Sequence, residues 1–137
     1  MLNVIDDIKD YLEENTTESD HKLEFGKNLF IGHMPSKTKM CLTLSQSNPV
    51  TTYNYNRKIG EEVYPIRFRI RGNAKENETR AFAKIIHDVL EDIQDIEFEG
   101  YRLIRGAFET KPNQIEPRDE ENNFIYIAIY EALVERI

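Results

Sequence analysis

The sequence predicts an α+β fold: a mainly antiparallel β-sheet with two helices packed on one face, in which a helix is the first element. Apolar residues recur at helical spacing near the N-terminus and again in residues 82–93. Other segments are rich in β-forming residues or alternate between apolar and polar residues. The chain has 137 residues, the size of one domain, so we expect a single domain over residues 1–137.

The first helix is predicted over roughly residues 3–14. Asn3 stands at its start as an N-cap residue, and Asp6 follows three residues later, as in a capping box. Residues 14–20 are polar and lack periodicity, so we expect a loop there. The apolar residues that recur at helical spacing are Val4, Ile5, Ile8, Tyr11 and Leu12.

Two strands are predicted next, within residues 23–32 and at residues 40–44, on either side of a turn at residues 33–37. Cys41 lies between two apolar residues of the second strand, so we expect a buried thiol that takes no part in chemistry. Residues 46–62 contain an Asn-Pro pair and several β-forming residues. We interpret them as a possible β-arm that projects from the body.

The clearest strand covers residues 63–71, where apolar residues alternate with arginines. Alternation places the two kinds on opposite faces, so one face is predicted to be core and the other cationic. Arginines on one face stand roughly 7 Å apart and repel one another unless anions lie opposite. The apolar residues are Ile66, Phe68 and Ile70, and the arginines are Arg67, Arg69 and Arg71.

Three interpretations of the arginine row stay open: a solvated face with acidic partners nearby, a strip of salt bridges between subunits, and a nucleic-acid groove. The net charge of −7 argues against the groove, because affinity for phosphates comes from clustered lysine and arginine. Tyr53 and Tyr55 near Arg57 and Lys58 resemble a base-stacking platform. Without a wider basic field, we interpret these four as residues of the β-arm.

A second helix is predicted after Gly72, with Asn73 and Glu76 at its start. Its apolar stripe consists of Phe82, Ile85, Ile86, Val89, Leu90 and Ile93. Residues 88–99 are strongly acidic, which we interpret as a solvated helix face, with a metal site as the alternative. The acidic residues are Asp88, Glu91, Asp92, Asp95, Glu97 and Glu99.

The remaining chain is predicted to form a strand at residues 101–108, a loop at residues 111–122 and a last strand at residues 123–134. Both faces of the last strand are apolar, so both need cover. Two helices cover only one face of a small sheet. We therefore expect a neighbouring subunit to cover part of the other face.

No pattern in the sequence predicts catalysis. A Gly-rich phosphate loop, zinc-ligand spacing, a nucleophile elbow and a paired Cys/His arrangement are all missing, and the three histidines lie outside any signature. We predict no catalytic residue, cofactor or metal ligand. The chain also has no apolar run of roughly 20 residues and no export signal, so we expect no membrane partner and synthesis in the cytoplasm.

Several local strings, in this order along the chain, point to a family. Leu-Phe-Ile-Gly at residues 29–32 is followed by Met34-Pro35, and Tyr-Pro-Ile-Arg-Phe-Arg-Ile-Arg-Gly at residues 64–72 leads into the second helix. Over nearly its whole length the chain resembles the small tail terminator proteins of long-tailed bacteriophages and prophages. Members of this family are also called minor capsid or tail completion proteins.

The resemblance implies a subunit that forms a ring, expected to be a hexamer, on the finished tail tube. Such a ring stops tube polymerisation, offers a surface to the head connector and lets DNA pass without specific binding. The protein would assemble in the host bacterial cytoplasm and reside in the virion tail. We expect subunit or partner contacts at Arg67, Arg69, Arg71, Asp88, Glu91, Asp92, Tyr53, Tyr55, Arg57, Lys58 and Arg118.

Three other functions stay open on the sequence. A head–tail connector or head completion protein would have a similar size and also form rings. A small enzyme would use an acidic pair, and an adaptor would bind a partner peptide at an exposed sheet edge. The carboxylates available for such a pair are Glu97, Glu99, Glu109 and Glu116.

Overall fold

Two helices and seven strands make up the described part of the chain. The computed structural model describes residues 3–46, 51–52, 61–91, 93–113 and 118–137. The elements are α1 (Val4–Asn15), β1 (Leu29–Ile31), β2 (Cys41–Gln46), β3 (Thr51–Thr52), β4 (Glu61–Arg71), α2 (Glu76–Leu90), β5 (Ile93–Phe98), β6 (Tyr101–Asn113) and β7 (Ile125–Arg136). The predicted α+β class with an N-terminal helix is confirmed.

The strands form one sheet in the order β1-β2-β4-β7-β6-β5, with β3 paired to β4 beyond the end of β2. Five of the six pairings between the described strands are antiparallel, and the pairing of β1 with β2 is parallel. The two long strands β4 and β7 lie at the centre and pair along their whole common length. The mainly antiparallel sheet is therefore confirmed.

The core lies between the sheet and the two helices. The predicted alternation in β4 is confirmed, because Ile66, Phe68 and Ile70 are fully buried on the helix side. Helix α2 contributes Phe82 and Ile86 to the same core, and burial of each large apolar side chain stabilises the fold by roughly 1.5–3 kcal/mol. Helix α1 contributes Val4, Ile8 and Leu12.

The first two strands pair in parallel, so the predicted turn at residues 33–37 does not join them as a hairpin. Strand β1 covers only residues 29–31 of the predicted 23–32, and it pairs with β2 in parallel. Residues 32–40 must therefore carry the chain back along the sheet rather than turn it directly. Backbone hydrogen bonds fix both ends of this connection, since Gly32 N donates to Leu44 O and Leu42 N donates to Asn28 O.

Strand β5 differs from the prediction, in which the apolar stripe of the second helix extends to Ile93. Helix α2 ends at Leu90, and Glu91 already has extended backbone. Ile93 is buried as the first residue of β5, where it pairs with Gly106. The acidic residues Asp95 and Glu97 thus belong to an edge strand, and the interpretation of a solvated helix face is wrong for them.

Several element boundaries also differ from the prediction. Asn3 is the N-cap of α1 but makes no side-chain capping bond, so the predicted capping box is absent. Helix α2 begins at Glu76 with Lys75 as N-cap, and the Asn73 side chain accepts a bond from Lys75 N. Strand β6 continues to Asn113, into the predicted loop, because these residues still pair with β7.

The predicted β-arm at 46–62 is only partly within the described chain. Gln46 ends β2, β3 pairs with the start of β4, and Glu61 and Glu62 belong to β4. Residues 47–50 and 53–60 lie outside the described residues.

Gly106 provides space for a buried hydroxyl group. The Tyr130 hydroxyl donates a 2.9 Å hydrogen bond to Leu90 O, which ties β7 to the end of α2. A Cβ atom at Gly106 would lie 1.9 Å from Tyr130 Oη. We expect Gly106→Ala to lower the free energy of unfolding by about 1–2 kcal/mol, because the ring must move out of its place.

Urea denaturation of the purified variant measures this loss. Combining Gly106→Ala with Tyr130→Phe removes the nearest clashing atom, so the double variant should lose less than the sum of the two single variants. An unchanged unfolding midpoint for Gly106→Ala alone would contradict the proposed clash.

Candidate interaction surfaces

The sheet face turned away from the helices, here called the outer face, carries the arginine row. Arg67 is exposed, Arg69 is half-buried and Arg71 is buried. Each arginine stands between a residue of β2 and a residue of β7, so the row runs along the middle of the sheet. These flanking residues are Ser45, Thr43 and Cys41 on β2 and Ile129, Ile127 and Ile125 on β7.

Arg71 makes its contacts inside its own chain. Its side chain lies 3.3 Å from the Asp119 carboxylate and donates hydrogen bonds to Pro35 O at 2.5 Å and Thr38 O at 3.2 Å. It thus joins the β1–β2 connection to the segment before β7. The part of the row that faces outward consists of Arg67 and Arg69.

Asp119 is held in its charged form. Burial alone would raise the pKa of its carboxyl group, but hydrogen bonds from Asn123 and Glu121 and the charge of Arg71 outweigh burial and lower the pKa. The bonds come from two backbone N–H groups and the Asn123 side-chain amide. A carboxylate with this many donors is a strong local anchor.

The outer face of β7 is less covered than its helix face. On the helix side, Tyr130 and Val134 are fully buried, whereas Ile129 and Leu133 on the outer side are half-buried. Leu133 lines a hollow of about 240 Å³ together with Val63, Arg105, Glu109 and Glu131. Burial and the nearby Glu109 carboxylate raise the pKa of Glu131. The outer face therefore combines apolar surface with charges of both signs.

Asp88 and Glu91 lie at the end of α2, on the other side of the sheet. Lys84 lies 2.8 Å from Asp88 and, with His87, lowers the pKa of the Asp88 carboxyl. Glu91 lies 3.0 Å from His87 Nε2, and the His87 ring stacks on Phe108. Because these acids and the outward arginines lie on opposite sides of the sheet, they can meet only between two molecules.

The other predicted contact residues are placed as follows. Arg118 is exposed, but it lies over the Phe124 ring and donates to Ala74 O, both in its own chain. Asp92, Tyr53, Tyr55, Arg57 and Lys58 lie outside the described residues.

A groove of about 510 Å³ between α1 and β5 was not foreseen from the sequence. Its acidic rim consists of Asp7, Asp10, Glu14 and Glu97. Its apolar floor consists of Tyr11, Ile96 and Phe98, all half-buried. The helical spacing of the three α1 acids is visible in the sequence, but the opposite wall is β5, which the sequence does not predict as a strand.

The buried Tyr101 fixes one wall of this groove. Its hydroxyl donates a 2.6 Å hydrogen bond to Asp7, which joins β6 to α1, and its ring stacks on Phe98. Burial and the Asp7 carboxylate raise the pKa of Tyr101, so the hydroxyl stays protonated and keeps donating at neutral pH.

No protein-family model matches the chain, and no curated protein matches it either. One similar solved structure is a chain from the virion of a native gene transfer agent particle, with a TM-score of 0.56 over 80% of each chain. The two chains share a fold. Their sequences are 18% identical, so the likeness concerns the architecture.

The side chains that most often bind metals or react chemically are placed as follows. Among residues 3–46, 51–52, 61–91, 93–113 and 118–137, no three His, Cys, Asp or Glu side chains are grouped to hold a metal ion. The predicted burial of Cys41 is confirmed, and burial raises the pKa of its thiol to about 11. Neither described helix has the length and apolar character needed to cross a bilayer.

Proposed function

We propose that this protein is a virion structural protein that forms a ring on the end of a phage-type tail tube. The ring stops tube polymerisation and offers a surface for joining to the head. The observation that carries the proposal is the fold shared with a virion component over 80% of both chains. The resemblance of residues 29–35 and 64–72 to tail terminators supports it independently.

The placement of charge supports a ring in which each copy contacts the next head to tail. Arg67 and Arg69 lie on the outer face, and Asp88 and Glu91 lie on the helix side. In such a contact, the outer face of one copy binds the helix side of the next copy. The contact forms a closed ring when the rotation between neighbouring copies brings the last copy back to the first. The half-buried apolar residues of the outer face gain cover in the same contact.

The acidic balance of the chain suits a passage for DNA. A net charge of −7 repels phosphate groups, so a ring of these subunits would let the genome pass without holding it. In this proposal the partners are other copies of the chain, the tail tube protein and the head connector protein. A role of this kind needs no catalytic residue and no cofactor.

Tube growth in vitro tests the proposed function directly. Purified tail tube protein is allowed to polymerise with and without this protein, and the tube lengths are then measured by electron microscopy. We expect shorter tubes with density at one end when the protein is added. An unchanged length distribution with bare tube ends would overturn the proposal.

Arg69→Glu is expected to weaken assembly by about tenfold in concentration, because a carboxylate then faces the acids of the neighbouring copy. Sedimentation velocity over a concentration series measures the assembly, and circular dichroism checks that the monomer keeps its secondary structure. Lys27→Glu is the matched control, because the side chain is 77% exposed and the change in charge is the same. If the two variants assemble equally well, the arginine row is not part of the subunit interface.

A head–tail connector or head completion protein is the second candidate. The match to a virion component supports it as well, since such proteins belong to the same particle. Binding to purified portal rather than to tail tube would favour this function over the terminator.

A further inference from the structure

The groove between α1 and β5 has the form of a docking site for an extended segment. Strand β5 is the last strand in the sheet order, so within the described residues its outer edge has no strand partner. An open edge offers backbone N–H and C=O groups to an incoming chain. Helix α1 forms the second wall of this groove, whose volume is about 510 Å³.

The lining of the groove specifies the chemistry of the segment that fits. Its floor of Tyr11, Ile96 and Phe98 favours aromatic or aliphatic side chains. Its rim carries Asp10, Glu14 and Glu97, and all three side chains are exposed. The complementary occupant is a segment in which apolar side chains accompany lysine or arginine.

The chain itself contains such a segment. Residues 53–60 read Tyr-Asn-Tyr-Asn-Arg-Lys-Ile-Gly, with two basic residues, two tyrosines, one isoleucine and no acid. They follow β3 and precede β4 in the sequence, and β7 and β6 lie between β4 and β5 in the sheet order. This composition matches both the floor and the rim.

We infer that residues 53–60 of one copy dock in the groove between α1 and β5 of a second copy. The inference deepens the proposed ring and rests on it, because it names the segment and the groove that join neighbouring subunits. Arg57 and Lys58 meet Asp10, Glu14 and Glu97, while Tyr53 and Tyr55 cover the apolar floor. Each copy then donates one segment and accepts another.

Chain length favours a second copy over the same copy as the acceptor. A segment of this length, anchored at neighbouring strands, reaches at most about 14 Å. Strand β5 lies three strand spacings from β4, also about 14 Å, and α1 lies in the next layer. The segment would need full extension merely to reach β5 of its own copy.

A charge-swap experiment on the full chain tests the inference. The first variant carries Arg57→Glu and Lys58→Glu, and the second carries Asp10→Lys and Glu14→Lys. We expect each variant alone to need about tenfold or more concentration than wild type to assemble, because like charges then face each other. Light scattering coupled to size-exclusion chromatography measures assembly over a concentration series at low and high salt.

Mixing the two variants in equal amounts is the decisive step. Each segment then finds a groove of opposite charge on the other variant, so the mixture should assemble at nearly the wild-type concentration. High salt should weaken this rescue, because the contacts at the rim are exposed. A control with Glu18→Lys and Asp20→Lys makes the same charge change just after α1, outside the groove, and should assemble as wild type does.

The outcomes separate the inference from the proposed function. Variants that assemble like wild type, variants that fail to rescue each other, or a wild-type chain that stays monomeric at every concentration would each overturn the inference. The tube-capping assay runs in parallel on wild type. If wild type caps tubes but the variants do not rescue each other, the proposed function stands and this interface is rejected. If the variants rescue each other but wild type does not cap tubes, the interface stands and the proposed function is rejected.

Discussion

Replacing Phe68 with alanine is expected to lower the free energy of unfolding by about 3–5 kcal/mol. Phe68 is fully buried at the centre of the sheet, and its ring contacts the rings of Phe108 and Tyr130 at 5.5 and 5.8 Å between centroids. Truncation leaves a cavity between β4, β6 and β7 that these neighbours fill only in part. Urea or thermal denaturation of the variant measures the loss.

Phe25→Ala provides the matched control, because it removes the same atoms from a ring that is 51% exposed. It should lower the free energy of unfolding by well under 1 kcal/mol. The variant loses the contact between the Lys9 amine and the face of the Phe25 ring. Similar losses for the two variants would show that Phe68 does not anchor the core.

Asp119→Asn is expected to lower the free energy of unfolding at pH 7 by about 2–3 kcal/mol. The change removes the charge opposite the buried Arg71 and leaves that guanidinium without its acid. The expected loss is below that of a fully buried pair, since the Asp119 side chain is 23% exposed. Denaturation at pH 7 measures it, and Glu120→Gln, at the exposed neighbouring position, should leave stability nearly unchanged.

The stability difference between wild type and Asp119→Asn should depend on pH. The pKa of Asp119 is lowered in the folded chain, so its carboxylate stabilises the fold above the unfolded pKa of about 3.9. That contribution is lost as the pH falls through the lower folded pKa. The stability gap between wild type and Asp119→Asn should therefore be full above about pH 5 and shrink below pH 4. A gap that stays constant down to pH 2 would contradict this role.

Local patterns in the sequence predict the elements whose periodicity is complete within one segment. The alternation of Ile66, Phe68 and Ile70 with arginine identifies β4 and its buried face, because side chains of a strand alternate between faces. The apolar stripe of α2 likewise identifies the helix and its buried side. Both patterns can be recognised without knowing which other elements pack against the segment.

Features that depend on distant partners are not encoded in such patterns. Ile93 continues the spacing of α2, but pairing with Gly106 of β6 places it in a strand. The direction of β1 follows from its pairing with β2, which the composition of residues 29–31 does not specify. The groove between α1 and β5 was missed for the same reason, since one of its walls is that strand.

The arginine row shows both cases within one strand. Its common face follows from the alternation, whereas the different environments of Arg67 and Arg71 do not. Arg71 is buried because Asp119, Pro35 and Thr38 come to it from segments far away in the sequence. The sequence predicts the face on which the guanidiniums lie, and the tertiary fold determines how deeply each of them is buried.

The central position of β7 also bears on how the chain folds. Strand β7 joins β4 to β6, and its residues pair with β4 residues more than fifty positions earlier. Pairings between residues so far apart in the sequence slow folding, because a long loop must close before they form. During translation, the two halves of the sheet stay apart until β7 has left the ribosome. The outer face of the sheet therefore reaches its final arrangement only after this strand is made.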